Sequence, residues 1–128
     1  MRILLDTNIL TRSGQLSHPQ HKVAISSVSS LRTRGDMLFL VPQNLYEFWV
    51  VATRSLAENG LGMTVKATEI GLRQLKRSFT ILEDSHQVFT AWETLVVQNS
   101  TKGKAAHDAR LVTAMKVNRL EGILTFNK

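Results

Sequence analysis

Cysteine is absent from the 128 residues. That excludes disulfides, thiolate zinc sites and cysteine nucleophiles, and it fits a reducing compartment. No apolar run approaches the length of a membrane span, and the one near the N-terminus is too short for a signal peptide. A soluble cytoplasmic protein with no membrane partner is expected. Internal repeats, low-complexity tracts and linkers are also missing, so residues 1–128 read as one domain. Neither GxxxxGK nor GxGxxG occurs, which removes the familiar phosphate-cradling loops, and a receiver-like module would want paired acids after the first strand. His18, His21, His86 and His107 form no HExxH pattern, and each reads as a cap or a surface residue. His18 and His21 alone stand at ligand spacing, without a nearby third ligand.

What is present is ordinary in bulk and uneven in charge. Hydrophobic residues make up 43% and charged residues 20%, both normal for a globular chain. A chain of this length can bury roughly two thirds of its unfolded surface, enough for a core without covalent staples. Sixteen Lys and Arg against ten Asp and Glu give a net charge of +6. Such a surplus favours a polyanionic partner, nucleic acid included, although it also serves plain solubility.

Apolar runs alternate with helical patterns. RILLD reads as a first strand. Ser17 to Gln20 resemble a capped helix start, with a helix following to about Arg34. MLFLV is a second strand, stopped by Pro42. From Gln43 to about Ser55, Leu45, Phe48, Trp49, Ala52 and Leu56 recur on one helical face. ENGLG is a turn, and a further helix runs from about Thr64 to Arg77. FTIL is a third strand. Asp84 and Gln87 look like a capping box for a helix to about Val97. QNSTKGK is a loop, Ala105 to Asn118 a last helix, and GILTF a final strand. Strands separated by helices imply right-handed crossovers and a parallel sheet covered on both faces, with ligands bound beyond the carboxyl ends of the strands.

The informative acids are those placed where a solvated charge is out of keeping. Asp6 ends an apolar strand in LLDTNIL; an Asx turn, its carboxylate bonding nearby backbone N–H groups, would account for it structurally. Asp108 shares the i, i+3, i+4, i+7 stripe of Leu111, Val112 and Met115, so its carboxylate is expected on the line facing the sheet. There it would need a cation partner (Arg110, Lys104 or His107) or a metal. Glu47 follows Asn44 by three in NLYE, which also reads as a capping box, and it shares a helix side with Val50, Val51 and Arg54. A helix apolar on two sides suggests a second packing partner, here another copy of the chain. Glu58, Glu69, Glu83, Glu93 and Glu121, and Asp36 in its turn, read as solvated surface.

Taken together, LLDTNIL, PQNLYEFW, HDARLVTAMK and the closing GILTFN resemble the PIN-domain family, and within it the VapC-type toxin ribonucleases. The match runs along the whole chain, in order and with family-like spacing. The resemblance implies a three-layer α/β/α sandwich with a central parallel sheet. It implies acids at the carboxyl edge of that sheet that bind Mg²⁺ or Mn²⁺, and metal-assisted hydrolysis of RNA phosphodiesters. It further implies a homodimer silenced by a small antitoxin protein. By position, Asp6, Glu47 and Asp108 match acidic metal-binding positions, and Asn127 falls at a fourth catalytic position that is often acidic. Asn8 and Thr125 match supporting polar positions. The pattern departs in two ways: Asn127 is neutral, and family members continue with one more segment, a last C-terminal strand that a sequence ending at Lys128 does not contain.

The residue chemistry is consistent with this. Mg²⁺ takes hard oxygen ligands and keeps waters. Phosphodiester hydrolysis needs a nucleophilic water and a counter-charge, which one or two metals supply. Crowded carboxylates repel, so a site that gathers them is strained without its cation. Lys102, Lys104 and Arg110 are candidates to hold flanking RNA phosphates, or else form a solvated basic loop. The reading from another class is a catalytically weak PIN-like module that works by binding RNA or protein, which neutral Asn127 and the short C-terminus favour.

Overall fold

A computed structural model describes residues 1–127. The elements in chain order are β1 (Arg2–Leu5), α1 (Thr7–Ser13), α2 (His21–Arg34), β2 (Met37–Leu40), α3 (Pro42–Thr53), α4 (Val65–Ser78), β3 (Thr80–Ile81), α5 (His86–Gln98), α6 (Lys104–Val117) and β4 (Gly122–Leu124). The four strands form one sheet in the order β3-β2-β1-β4, with every pair parallel. Leu5 stands beside Leu124, and Leu4 lies between Phe39 and Ile123.

Period-two alternation sends the strand side chains into two cores. Ile3, Leu5, Leu38 and Leu40 pack on one face with Leu10, Phe48 and Ala52, and with partly buried residues of α2 and α4. Leu4, Phe39 and Val41 pack on the other face with Val88, Leu111, Ala114 and Leu120. The result is the expected α/β/α sandwich. Leu4, Leu5, Ile9 and Leu40 are wholly covered, and each contributes about 1.5–3 kcal/mol relative to an exposed side chain.

The topology follows from one rule of handedness. From β1 to β2 to β3 the chain steps one way across the sheet, with α1–α4 on the first face. It then doubles back from β3 past two strands to β4, and a crossover of fixed hand puts α5 and α6 on the opposite face. The reversal places a crevice between the carboxyl ends of β1 and β4.

Several local features differ from the sequence reading. The residues after Asp6 do not extend the strand: Thr7–Ser13 forms α1, with Asp6 as its N-cap. Seven residues are too few to display a helical period, and Ile9 and Leu10 resemble a strand continuing. The start of α2 is not capped by Ser17; Gln20 holds the N-cap position, and its N–H donates to His18 Nδ1 at 3.0 Å. The α3 helix opens with Pro42 at its first position, the place where a missing N–H costs nothing. Leu56 lies beyond α3 in a short 3₁₀ turn and is exposed. In the turn that follows, Gly60 packs so tightly that a Cβ there would meet the Arg54 carbonyl oxygen at 2.0 Å. Ser85, not Asp84, caps α5, and its side chain makes no capping bond.

Asp36 overturns the surface assignment made for it. It is 9% exposed, at the opposite end of the sheet from the crevice. The N-terminal ammonium lies 2.7 Å from its Oδ1, and Arg34 Nε lies 2.6 Å from its Oδ2. Hydrogen bonds from that ammonium and from Arg34 hold its pKa below the usual carboxylate value.

Candidate active site

Asp6 stands where β1 ends. Its backbone N–H donates to the Leu124 carbonyl at 2.9 Å, tying the exits of β1 and β4 together. One carboxylate oxygen, Oδ1, accepts from the Thr7 backbone N–H at 2.7 Å; the other, Oδ2, accepts from the Thr125 hydroxyl at 2.7 Å. The Asx-type capping bond is therefore real, and it occupies only one oxygen. Asn8 belongs to the same junction: its Nδ2 donates to Thr125 Oγ1 at 3.3 Å, and its Oδ1 accepts from the Phe126 N–H at 3.4 Å. The Asn127 N–H donates to Thr125 Oγ1 at 3.0 Å. Thr125 is thus the hub joining the two strand exits.

Glu47 reaches the crevice from α3. The expected Asn44–Glu47 capping box is not formed. Asn44 lies three positions after the N-cap Val41, and its Oδ1 accepts from the Val41 N–H at 2.9 Å. Fully buried, Asn44 also donates through Nδ2 to the Leu5 carbonyl at 3.1 Å and to Thr7 Oγ1 at 3.2 Å. Thr7 Oγ1 in turn donates to Glu47 Oε1 at 2.7 Å. Asn44 and Thr7 so register the start of α3 to the end of β1, and leave Glu47 half-buried on the crevice side. Gln43, 3% exposed, stands 3.5 Å from Glu47 Oε2 and 3.5 Å from the His107 carbonyl oxygen. His107 Nε2 is also 3.5 Å from Glu47 Oε2, an ion pair when that ring is protonated.

Asp108 corrects the burial expectation. On α6 the covered arc runs through Leu111, Thr113 and Ala114, whereas Asp108 and Val112 are exposed. At about 100° per residue the chosen stripe lies on the flank of the packed face. Asp108 therefore needs no partner to offset burial. Among the described residues no cation comes within 4.0 Å of it. Its carboxylate borders the crevice.

A cleft of about 650 Å³ collects these groups: Asp6, Thr7, Asn8, Gln43, Glu47, His107, Asp108 and Asn127 line it. Arg12, Arg54, Lys104 and Arg110 also line it, so acids and cations share one opening. Lys102 is exposed and lies outside this lining. Arg110 Nη2 is 3.9 Å from Asp84 Oδ2, a long contact that leaves both half-exposed. Thr7, Gln43, Asn44 and His107 also belong to this arrangement, although the sequence reading gave Asn44 only a capping role, His107 only a cap or surface role or a pairing with Asp108, and the other two none. For Asn44 the signal was available, since a polar residue on the apolar face of a helix must find partners.

All the acidic groups on the cleft are oxygen donors, the chemistry a hard divalent cation requires. Among the described residues no three His, Asp or Glu side chains gather closely enough to enclose an ion. The expected crowding of carboxylates is to that extent not present. The donor set fits a cation held by one or two carboxylates with water in its other places, the way Mg²⁺ is commonly bound.

A four-stranded parallel sheet in the order 3-2-1-4, covered by helices on both faces and carrying an acid at the exit of β1, is a PIN-like fold. Several solved structures share it, the two that follow among them. VapC20 of Mycobacterium tuberculosis, a toxin that cleaves the sarcin–ricin loop, superposes with a TM-score of 0.66 at 17% identity, over 98% of this chain and 89% of that one. A toxin–antitoxin complex from Klebsiella pneumoniae gives 0.62 at 20% identity, over 98% and 88%. No family model matches the sequence, and no curated protein does. At these identities the likeness establishes the fold.

Proposed function

We propose that this chain is a divalent-metal-dependent ribonuclease, the toxin of a toxin–antitoxin pair. The observation that carries the reading is the meeting of Asp6, Glu47 and Asp108, from three separate segments, on one cleft at the strand-order reversal of a PIN-like sheet. The neighbours that share the fold add weight, one being named as a toxin that cleaves the sarcin–ricin loop and the other as a toxin–antitoxin complex. A small antitoxin protein is the partner that follows from this reading, and the cytoplasm is where such a pair would act.

One or two of Asp6, Glu47 and Asp108 would hold Mg²⁺ or Mn²⁺ directly and the remaining acid through water, with the side chain of Asn127 as a neutral oxygen donor. When bound, the cation supplies a water of lowered pKa and a counter-charge for the phosphorane-like transition state. The rest falls to the protein. Thr125 holds Asp6 Oδ2 and Thr7 holds Glu47 Oε1, which fixes how the two carboxylates face the cleft. Lys104 and Arg110 take flanking phosphates, and Lys102 extends that basic edge toward solvent. Tyr46 and Val50, exposed on α3 beside the cleft, offer the face through which two copies would pair.

A second reading has its own support: Asp6 and Glu47 already have protein partners, and among the described residues no three acids are gathered. It makes the chain a PIN-like module that binds RNA or protein without cutting. Thermal melts and RNA cleavage separate the two. A hydrolase gains stability from millimolar Mg²⁺ or Mn²⁺, about 2.7 kcal/mol at about 100 times Kd. It cuts RNA with the metal and loses cutting in Asp108→Asn while the fold persists. Purified protein that binds RNA, ignores the metals and cuts nothing would hand the case to the binding module.

A further inference from the structure

Beside the acidic cleft lies a second, smaller cavity that the ribonuclease reading leaves unassigned. Its volume is about 250 Å³, and Asp84, Ser85, Val88, Phe89, Trp92 and Arg110 line it. That is just below the ~300 Å³ at which pockets for drug-sized ligands begin, a size for one ring system. We propose that this cavity is a nucleobase subsite, in which an unpaired base of the RNA substrate stacks on Phe89 while its phosphate sits on Arg110. The proposal rests on the ribonuclease reading and names where that substrate lies.

Three features point to a base. The first is an exposed aromatic surface. Val88 fills the core position of this part of α5, and Phe89 next to it is 54% exposed. His86, Phe89 and Trp92 recur at i, i+3 and i+6, with ring centroids 6.4 and 6.0 Å apart, a tilted ladder along one face of the helix. The second is rigidity. Trp92 Nε1 donates to the Ala106 carbonyl at 2.7 Å, which locks the back wall of the cavity to α6. The third is continuity of charge. Arg110 lines both this cavity and the acid-bearing cleft. A phosphate on its guanidinium would have one neighbour directed to the carboxylates and the other to Phe89. Asp84 and Ser85 also line the cavity, and the Asp84 carboxylate, whose Oδ2 is 3.9 Å from Arg110 Nη2, is an acceptor for the amino edge of a base. Stacking on an aromatic ring with a backbone cation beside it is how proteins hold single-stranded nucleic acid with little sequence demand. A peptide or a second copy of the chain would use the apolar ring but has no need of a cation shared with the cleft.

The test measures binding of a short fluorescein-labelled single-stranded RNA by anisotropy in EDTA, so that metal-dependent cutting is suppressed. Versions of that RNA with one abasic nucleotide at successive positions serve as probes. For the wild type, one abasic position should weaken binding about tenfold. Phe89→Ala should bind the intact RNA about tenfold more weakly and lose nothing further from that same abasic position, and Phe89→Tyr should restore both. Melting curves confirm folding, which an exposed ring permits. A flat abasic scan, or an intact-RNA affinity unchanged in Phe89→Ala, overturns the subsite. If the wild type still cuts RNA with Mg²⁺ in that event, the ribonuclease reading stands without it. If the wild type neither binds nor cuts, both fall. If Phe89→Ala changes only the mass in sedimentation, the ring belongs to a contact between copies and the base subsite is refuted.

Discussion

The two ends of the sheet treat acids in opposite ways. At the amino end, Asp36 is almost fully covered and both its oxygens are met by positive charge, the N-terminal ammonium and Arg34. At the carboxyl end, the Asp6 carboxylate is met by hydroxyl and backbone N–H groups, the Glu47 carboxylate by a hydroxyl, an amide and an imidazole. Asp108 at the same end has no cation within 4.0 Å among the described residues. A carboxylate whose charge is already neutralised in the fold serves stability. One that is oriented by neutral groups, and left electrostatically unspent beside a cleft, is prepared for a charge from outside.

Crossed substitutions break this contrast if it is wrong. The largest effect is expected for Asp6→Asn. Asparagine caps a helix as well as aspartate does, so α1 should survive. RNA cleavage should fall well beyond the roughly 10–100-fold that losing an outer partner costs, with melting temperature little changed. A cleavage rate within a few-fold of wild type would remove Asp6 from the site. Thr125→Val is next. It frees Asp6 Oδ2 and the Asn127 N–H without replacing a proposed ligand, and it should lower cleavage by about 10–100-fold and weaken the response of melting temperature to Mn²⁺.

At the other end the signs reverse. Asp36→Asn should lower the melting temperature while leaving cleavage per folded molecule intact. The pH dependence follows from the lowered pKa of Asp36. Its contribution is fully present above the ordinary carboxylate value of 3.8 and disappears as pH falls through the lower folded-state value. Melts from neutral to strongly acid pH should therefore show wild type losing its advantage over Asp36→Asn only in acid. A gap that stayed constant down to the lowest pH would contradict the ion-pair account. The smallest effect is expected for Val50→Lys, which should shift sedimentation toward the monomer and leave the melting curve almost unchanged. An unaltered mass would mean that this part of α3 is not where copies meet.

The sheet was legible because strands carry their evidence locally. RILL and MLFL are short apolar runs bounded by helical patterns, and their spacing alone requires parallel pairing. Asp6 at the exit of β1 stood out for the same reason, as a carboxylate interrupting an apolar segment. What escaped was decided by partners far away in the chain. One partner of Asp36, Arg34, is local, but the other lies 35 positions off, and nothing beside Asp36 announces that one. The link from Asn44 through Thr7 to Glu47 joins two segments about 40 positions apart, and in the sequence it looks like a local capping box. Asp108 failed for a different reason. Its stripe was chosen by spacing alone, and spacing does not say which of two adjacent faces of α6 meets the sheet. The helix α1 was missed because a single cap and two turns leave almost no periodic signal.

The contact between Thr125 and Asp6 spans 119 positions, and β4, which delivers Thr125, stands at the edge of the sheet among the described residues, paired with β1. Strands β1, β2 and β3 can zip together in chain order, whereas β4 must wait for both helices of the return crossover to dock. Closing so large a loop is the entropically dearest and slowest kind of step in folding. A chain refolding from denaturant should therefore regain its compactness and most of its helicity before it regains activity. On the ribonuclease reading proposed above, cleavage would arrive last, as the signature of a molecule that has finished.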